Sequence, residues 1–374
     1  MYRPRIKAKH RPVRLGDGSV RIGGTVPGIE RRIKDPDGWV WALLGTLDGT
    51  RTVDQVVTEL VHRFPGRPEA EVIRDLGVLI QAGHVEDAAE AAPRELSSRE
   101  RERYSRCREL SEWMARVGRR SSWESELLLR QARVVVIGIG GTGSIAALNL
   151  AQSGVGELHC VEPDVVELSN LPRQALFTER DLGQPKVEAA VRELRARNSD
   201  IRITGEALTI TGPAAMLALA ARFDVVVLAA DQPAEIQTWT NRACHATGTA
   251  WVHAGYHGPQ INYGLYRPGT GPCYECVATA ERDHHTGSTY PEPMVAREEI
   301  QAGNAVSAGM SGALAAHTAM DLITSVPGLP VNREYAFNLV TLVGDVVSAL
   351  ETPRPDCPTC CVYWLGFASR RDRL

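Results

Sequence analysis

Residues 134–137, Val-Val-Val-Ile, run without a polar break into Gly138-Ile139-Gly140-Gly141-Thr142-Gly143-Ser144, and a helical pattern follows over residues 142–152. A strand with no polar alternation is buried on both faces, as in a parallel sheet covered by helices. Glycines let the backbone turn tightly and approach a phosphate. The helix start beyond them presents unpaired N–H groups and the positive end of a dipole. Gly138, Gly140, Gly141, Thr142 and Gly143 are therefore candidate nucleotide-binding residues. The competing reading, a glycine turn needed only for close strand–helix packing, is weaker in this context. No Gly-Lys-Ser/Thr follows, which excludes a P-loop.

Strand and helix patterns then alternate: strands at 157–161, 201–203, 225–228 and 251–254, helices at 185–197, 212–221 and 233–247. This predicts an α/β fold with a Rossmann-like, mostly parallel sheet. Residues 261–266 and 335–350 read instead as an antiparallel carboxy-terminal extension flanking an Ala/Gly-rich stretch at 304–323. That stretch holds Ser307, Ser311, His317 and Asp321, so it reads as a packed helix and not a membrane span. The net charge of −3 argues against a surface built for nucleic acid.

Ahead of this domain, a basic tail (residues 1–12) precedes a small module at residues 13–90, and a helical, Arg/Glu-rich linker spans 91–130. The α/β domain occupies 131–374. In the small module, turn signals flank short strands near 15–21 and 32–34. Three helical patterns begin at Trp39, Thr52 and Pro68, and Gly83 ends the third before a short closing strand at 84–86. Small strands with three helices predict a winged-helix-like domain. Its second helix carries Asp54 and Glu59 and neither Lys nor Arg over 52–61, which excludes a DNA-recognition helix. The tail has no apolar core and is not a secretory signal; it reads as solvated and disordered, and the chain as cytoplasmic.

Behind the second strand come Glu162 and Asp164, then Asn170, Arg173, Gln174 and Lys186. An acid at the end of that strand accepts bonds from a ribose. A dinucleotide redox site needs no Arg and Lys there, whereas a triphosphate site does: they stabilise charge as pyrophosphate leaves, by about 3 kcal/mol in a dry site. Each cation taken singly is better explained as a surface residue: Arg173 in an ion pair, Lys186 at a solvated helix start. Asp231, just past the strand at 225–228, is placed to hold Mg2+ against the triphosphate, its alternative being a helix cap ahead of Pro233.

Cys273-Tyr274-Glu275-Cys276 and Cys357-Pro358-Thr359-Cys360 form two CxxC pairs, enough for a closed tetrahedral zinc site that staples the tail, with Cys361 able to substitute for Cys360. Cys107, Cys160 and Cys244 read as buried small hydrophobes.

Taken in order, GIGGTGS, the acidic strand end, SNLPRQ, GQPK, the Asp after the fourth strand and the two CxxC pairs resemble the ThiF family, the ubiquitin-activating-enzyme-like adenylyltransferases, over residues 103–360. The resemblance implies an enzyme using ATP and Mg2+, with structural Zn2+. Glu162 takes the place of the family's ribose-binding Asp, and Asp164 matches its second acid. Asn170, Arg173 and Lys186 match triphosphate contacts, and Asp231 the metal-linked acid. Arg103-Tyr104-Ser105-Arg106 resembles an element in which the second Arg, here Arg106, reaches the ATP of a partner subunit, implying a homodimer. The family's crossover loop, here 281–302, lacks the cysteine many members use. Activation is therefore expected to stop at an acyl adenylate. Residues 39–86 are similar to PqqD-like domains, which bind leader peptides of ribosomally made peptides as an added strand. The expected activity is adenylation of a precursor-peptide carboxylate. The alternatives are activation of a ubiquitin-like sulfur carrier, or a non-catalytic leader-binding partner of a cyclodehydratase. Neither nucleic acid nor membrane is an expected partner.

Overall fold

The computed structural model describes residues 1–286 and 302–361, which form two compact units. One comprises Met1–Leu128 together with Val326–Gly328, the other the remaining described residues.

The amino-terminal unit begins with β1 (Pro4–Ile6), followed by a three-stranded antiparallel sheet of β2 (Val13–Arg14), β3 (Val20–Ile22) and β4 (Arg31–Ile33). Helices α1 (Trp39–Thr46), α2 (Val53–Arg63) and α3 (Glu69–Gln81) and strand β5 (Val85–Asp87) complete the winged-helix-like core. Val56, Leu60, Val72 and Leu76 pack against Val20 and Ile22. Thr52 caps α2 through a reciprocal pair with Gln55, satisfying two orphan backbone donors.

The basic tail differs from its expectation. β1 pairs antiparallel with β5, because its charges find partners at that edge: Arg5 Nε donates to Glu86 at 2.8 Å, and buried Lys7 pairs with Glu112 at 2.8 Å. The Arg/Glu-rich linker forms α4 (Ser98–Arg103) and α5 (Ser105–Met114), which belong to this compact unit, and opens α6 (Glu124–Gln131).

Beside β1 lies a buried histidine pair, His10 Nδ1 and His84 Nδ1 at 3.0 Å, with His10 Nε2 3.1 Å from the Trp113 carbonyl. Burial, then the neighbouring His10, lowers the His84 pKa to about 4, and burial also lowers that of His10. Both groups are depressed, so the stability they contribute is present above the ordinary histidine value near 6.5 and is lost as pH falls from there toward 4. Buried Glu126, whose pKa burial raises to about 7, gives a slope of opposite sign. The readout is therefore a difference. Wild type should lose thermal stability relative to His84→Asn between pH 7.5 and 5, and a constant gap across that range would contradict the assignment.

The second unit is built on an eight-stranded sheet among the described residues, ordered β13-β12-β11-β10-β9-β6-β7-β8. The parallel part comprises β6 (Arg133–Ile137), β7 (Glu157–Val161), β8 (Arg202–Glu206), β9 (Val225–Leu228) and β10 (Ala250–His257). Between them run α7 (Gly141–Gln152), α8 (Lys186–Arg197), α9 (Pro213–Ala220) and α10 (Ile236–Thr247). β11 (Gln260–Tyr266), β12 (Arg333–Asn338) and β13 (Val343–Ala349) continue the sheet antiparallel. The unbroken apolar run of β6 serves two cores. Val134 and Val136 face the layer of α7 and α8, while Val135 and Ile137 face that of α9 and α10. β6 and β9 are adjacent although β7 and β8 intervene in sequence, so the strand order reverses between them. Crevices at such reversals, beyond the carboxyl ends of the strands, are where open α/β sheets bind ligands.

α11 (Tyr274–Thr286) and α12 (Ala305–Thr324) follow β11. α12 shows why its segment is rich in Ala and Gly. A Cβ on Gly312 would stand 2.5 Å from both Ile145 Cβ and the Thr142 carbonyl, so α12 presses directly onto the start of α7. Thr142 Oγ1 and Ser311 Oγ meet at 2.7 Å across that contact. No described helix is long and apolar enough to cross a membrane.

Candidate active site

At the reversal between β6 and β9 opens a cavity of about 610 Å³. Its floor is the glycine turn. Gly138 has φ +86°, and a Cβ there would lie 2.9 Å from the Ala229 carbonyl, so backbone passes backbone with no room for a side chain. Gly140, Gly141 and Thr142 line the cavity as α7 begins, its first N–H groups being the orphan donors of any helix start. Gly143 does not line it. A Cβ there would lie 1.8 Å from the Gly138 carbonyl oxygen, which makes it a packing glycine that lets helix and strand close up.

Glu162 directly follows β7 and is buried. The Ile139 N–H donates to its Oε2 at 2.6 Å and the Asp164 N–H to its Oε1 at 3.0 Å. It thus clamps the glycine turn to the following loop, with one lone pair on each oxygen left for the cavity it lines. Lys186 is the first residue of α8 and only 6% exposed, and its Nζ donates to Asp164 Oδ2 at 3.1 Å. A cation at a helix N-terminus opposes the dipole, and a buried lysine is costly unless paired. The dipole penalty falls on this wall residue, and the carboxylate paired with it is itself largely exposed, so an anion in the cavity is the ligand that would relieve the ammonium.

Arg173 and Gln174 also line the cavity, on a turn built by Asn170. Asn170 is buried but not in the wall. Its Oδ1 accepts from the Glu167 N–H at 3.0 Å, and its carbonyl accepts from the N–H groups of Arg173 and Gln174 at 3.1 and 3.0 Å. It positions those side chains instead of presenting its own. Gln174 Oε1 is enclosed without a hydrogen-bond partner among the described residues, an orphan facing a ligand-sized space. Asp231 lies in the wall beyond β9. Its helix-cap alternative does not hold, since α10 begins only at Ile236. Arg106 is different. It lies on α5 in the other unit with its side chain 87% exposed, pairs with Glu109 at 3.6 Å, and is not a wall residue.

Sequence reasoning did not single out four wall residues: Tyr256 and His257 lie beyond residue 254, where it ended the strand, and His253 and Asn262 lie inside expected strands with no motif around them. β10 runs on to His257, driven by its antiparallel pairing with β11. The Tyr256 hydroxyl stands 2.8 Å from where a Gly141 Cβ would be, closing the floor from above.

The four sulfurs of Cys273, Cys276, Cys357 and Cys360 lie within 4.8 Å of one another, all buried. Recorded separations are 4.0 Å (273–276), 3.5 Å (273–357) and 3.3 Å (276–360). Tetrahedral Zn2+ at its usual Zn–S distance sets sulfurs about 3.8 Å apart, so the cluster fits. Cys361 stands outside it, with Sγ donating to the Pro355 carbonyl at 2.9 Å. Cys160 and Cys244 are fully buried, and burial pushes their thiols up, that of Cys160 to about 12, as inert core residues require. Residues 287–301 of the cysteine-free crossover loop lie outside the described residues.

Residues 117–359 match the family model described as ThiF family. The chain belongs to the ThiF family. Residues 9–64 of this ThiF protein match a second model, described as PaaA-like, N-terminal domain. Among curated relatives, the bovine adenylyltransferase and sulfurtransferase MOCS3 is 34% identical over 242 residues, covering 63% of this chain and 50% of its own length. The sulfur carrier protein ThiS adenylyltransferase of Escherichia coli K12 is 40% identical over 152 residues, covering 40% and 59%. The ThiF chain thus spans about half the length of the curated relatives it matches. Among solved structures, E. coli MccB superposes with a TM-score of 0.75 at 24% identity over 96% of both chains. PaaA superposes with a TM-score of 0.65 at 23% identity, over 92% of this chain and all of that one. At these identities the likeness is one of fold, and it extends through both units. MccB structures include one with ATP and others with MccA.

Proposed function

We propose that this ThiF-family chain adenylates a carboxylate of a ribosomally synthesised precursor peptide, held through its amino-terminal unit, to give an acyl adenylate and pyrophosphate. The observation that carries the reading is buried Lys186 at the start of α8, tied to Asp164 in the wall of the cavity over the glycine turn.

The triphosphate of ATP would lie over the glycine turn, against the first N–H groups of α7, with Glu162 and Gln174 beside the nucleoside. A substrate carboxylate oxygen attacks the α-phosphorus, and the bond to the pyrophosphate oxygen breaks. Lys186 and Arg173 meet the charge that develops on the departing phosphates. Asp231 is the residue that would hold Mg2+, which when bound neutralises phosphate charge. The zinc would staple the tail and take no part in the reaction. Arg106 is exposed enough to serve a second copy of the chain, on the reading that two copies assemble.

The peptide assignment is supported by the PaaA-like match and by a winged-helix-like unit whose β4 is a sheet edge. Extended segments add to such edges through main-chain bonds. ATP–pyrophosphate exchange that needs a precursor peptide, and weakens when the leader is deleted, is the expected result. Exchange with a sulfur carrier ending in Gly-Gly and not with peptides would favour the activity named for the ThiS relative. Peptide binding without ATP binding would favour a non-catalytic delivery role.

A further inference from the structure

The mechanism above leaves a buried titratable cluster at the cavity unused. His253 on β10 lines the cavity and is itself only 8% exposed. Its Nε2 donates to Glu334 Oε1 at 2.7 Å, and Glu334, on β12, is equally buried. The Tyr266 hydroxyl donates to the same oxygen. Trp251, Tyr266 and Tyr274 pack their rings around the imidazole, holding its plane. Nothing can slip between the pair from below, since a Cβ on Gly264 would stand 2.5 Å from Glu334 Oε1 and 2.7 Å from His253 Nε2.

This arrangement fixes a tautomer. A carboxylate only accepts, so Nε2 carries a proton, and in the neutral imidazole Nδ1 is then the nitrogen that keeps a lone pair. Nδ1 has no hydrogen-bond partner among the described residues, and it is not among the enclosed unpartnered atoms, so that lone pair is open to the cavity.

An acyl adenylate made in this cavity must be consumed by a nucleophile. No cysteine lines the wall among the described residues, and the crossover loop sequence has none. Without a thiol, an N–H or O–H group is the nucleophile, and such a group needs a proton acceptor. The acids in the wall have other work: Glu162 clamps two backbone amides beside the nucleoside, Asp164 pairs with Lys186, and Asp231 is the residue assigned to Mg2+. Resting on the adenylation reading, we propose that His253, oriented by Glu334, is the catalytic base of the second half-reaction. The nucleophilic nitrogen or oxygen forms a bond to the acyl carbon, its proton passes to His253 Nδ1, and the acyl–oxygen bond breaks with its electron pair leaving on AMP. Glu334 is the positioning residue. The titratable groups packed on His253 are Glu334, Tyr266 and Tyr274.

The test separates the two half-reactions. In His253→Gln the amide nitrogen keeps a donor for Glu334 while the basic lone pair is lost. Peptide-dependent ATP–pyrophosphate exchange should stay within ~3-fold of wild type while AMP release falls ~100-fold or more, and added imidazole should restore part of the AMP release. Glu334→Gln, which no longer dictates the tautomer, should split the half-reactions the same way. Equal losses in both half-reactions, or unchanged AMP release, in a folded, exchange-active protein would overturn this inference alone. A wild type that shows no exchange with any peptide would overturn the adenylation reading and this inference with it.

Discussion

Lys186→Ala should lower peptide-dependent ATP–pyrophosphate exchange by ~100- to 1,000-fold, the scale on which removing a preorganised charge from a dry site acts. The fold should survive the change. The partner carboxylate, Asp164, is 64% exposed, so it stays solvated when the ammonium is gone. The α8 terminus also gains, because a cation opposing its dipole has been removed. Lys186→Ala should therefore melt at or slightly above the wild-type temperature while being almost inactive. That opposition is the signature of a residue kept for chemistry at a cost to stability. A variant with unaltered exchange, or one whose activity loss merely tracks unfolding, would remove Lys186 from the reaction.

The second large effect concerns the thiol cluster. Cys276→Ser should reduce bound zinc from about one equivalent to near none and lower the melting temperature sharply, since structural zinc binding is worth on the order of 10 kcal/mol to a fold that depends on it. The loss should spread beyond the four sulfurs. Asn241 Nδ2, on α10, lies 3.5 Å from Cys273 Sγ and donates to Glu275 Oε2 at 2.9 Å, while Arg242 and Thr359 bind the same Glu275. The cluster thus ties α10, α11 and the tail into one network, and α10 is the helix that follows Asp231 in the cavity wall. Cys361→Ser should change neither zinc content nor melting temperature, because its thiol bonds to the Pro355 carbonyl outside the cluster. Zinc loss in Cys361→Ser but not in Cys360→Ser would reverse the ligand assignment.

Much of this was legible in the sequence because it rests on local chemistry. The run at 134–137 needed two apolar faces, and the structure supplies two cores. The glycines of the turn were readable because only glycine fits a positive φ against a neighbouring backbone, as at Gly138. Two CxxC pairs required a common partner, and the chain brings them together. What stayed hidden depends on long-range pairing. His253 and Glu334 are 81 residues apart in sequence and meet only because β10 and β12 both flank β11. The tail's order was equally hidden, since β1 becomes a strand through Glu86 and Glu112, and charge composition alone reads as solvation. Within the glycine motif, sequence did not separate ligand-facing from packing glycines. Gly141 meets the cavity and Gly143 meets a carbonyl, a distinction set by the angle at which α7 leaves the turn.

The central claim is that a substrate carboxylate attacks the α-phosphorus of ATP lying over the glycine turn. Its most direct test is isotopic: precursor peptide labelled with 18O in its carboxyl groups, incubated with ATP and the full chain, followed by mass spectrometry of the released nucleotide. The account predicts one 18O in AMP and none in inorganic phosphate, with Lys186→Ala abolishing the transfer. Label in inorganic phosphate with ADP as the nucleotide product, or turnover that leaves AMP unlabelled, would contradict it.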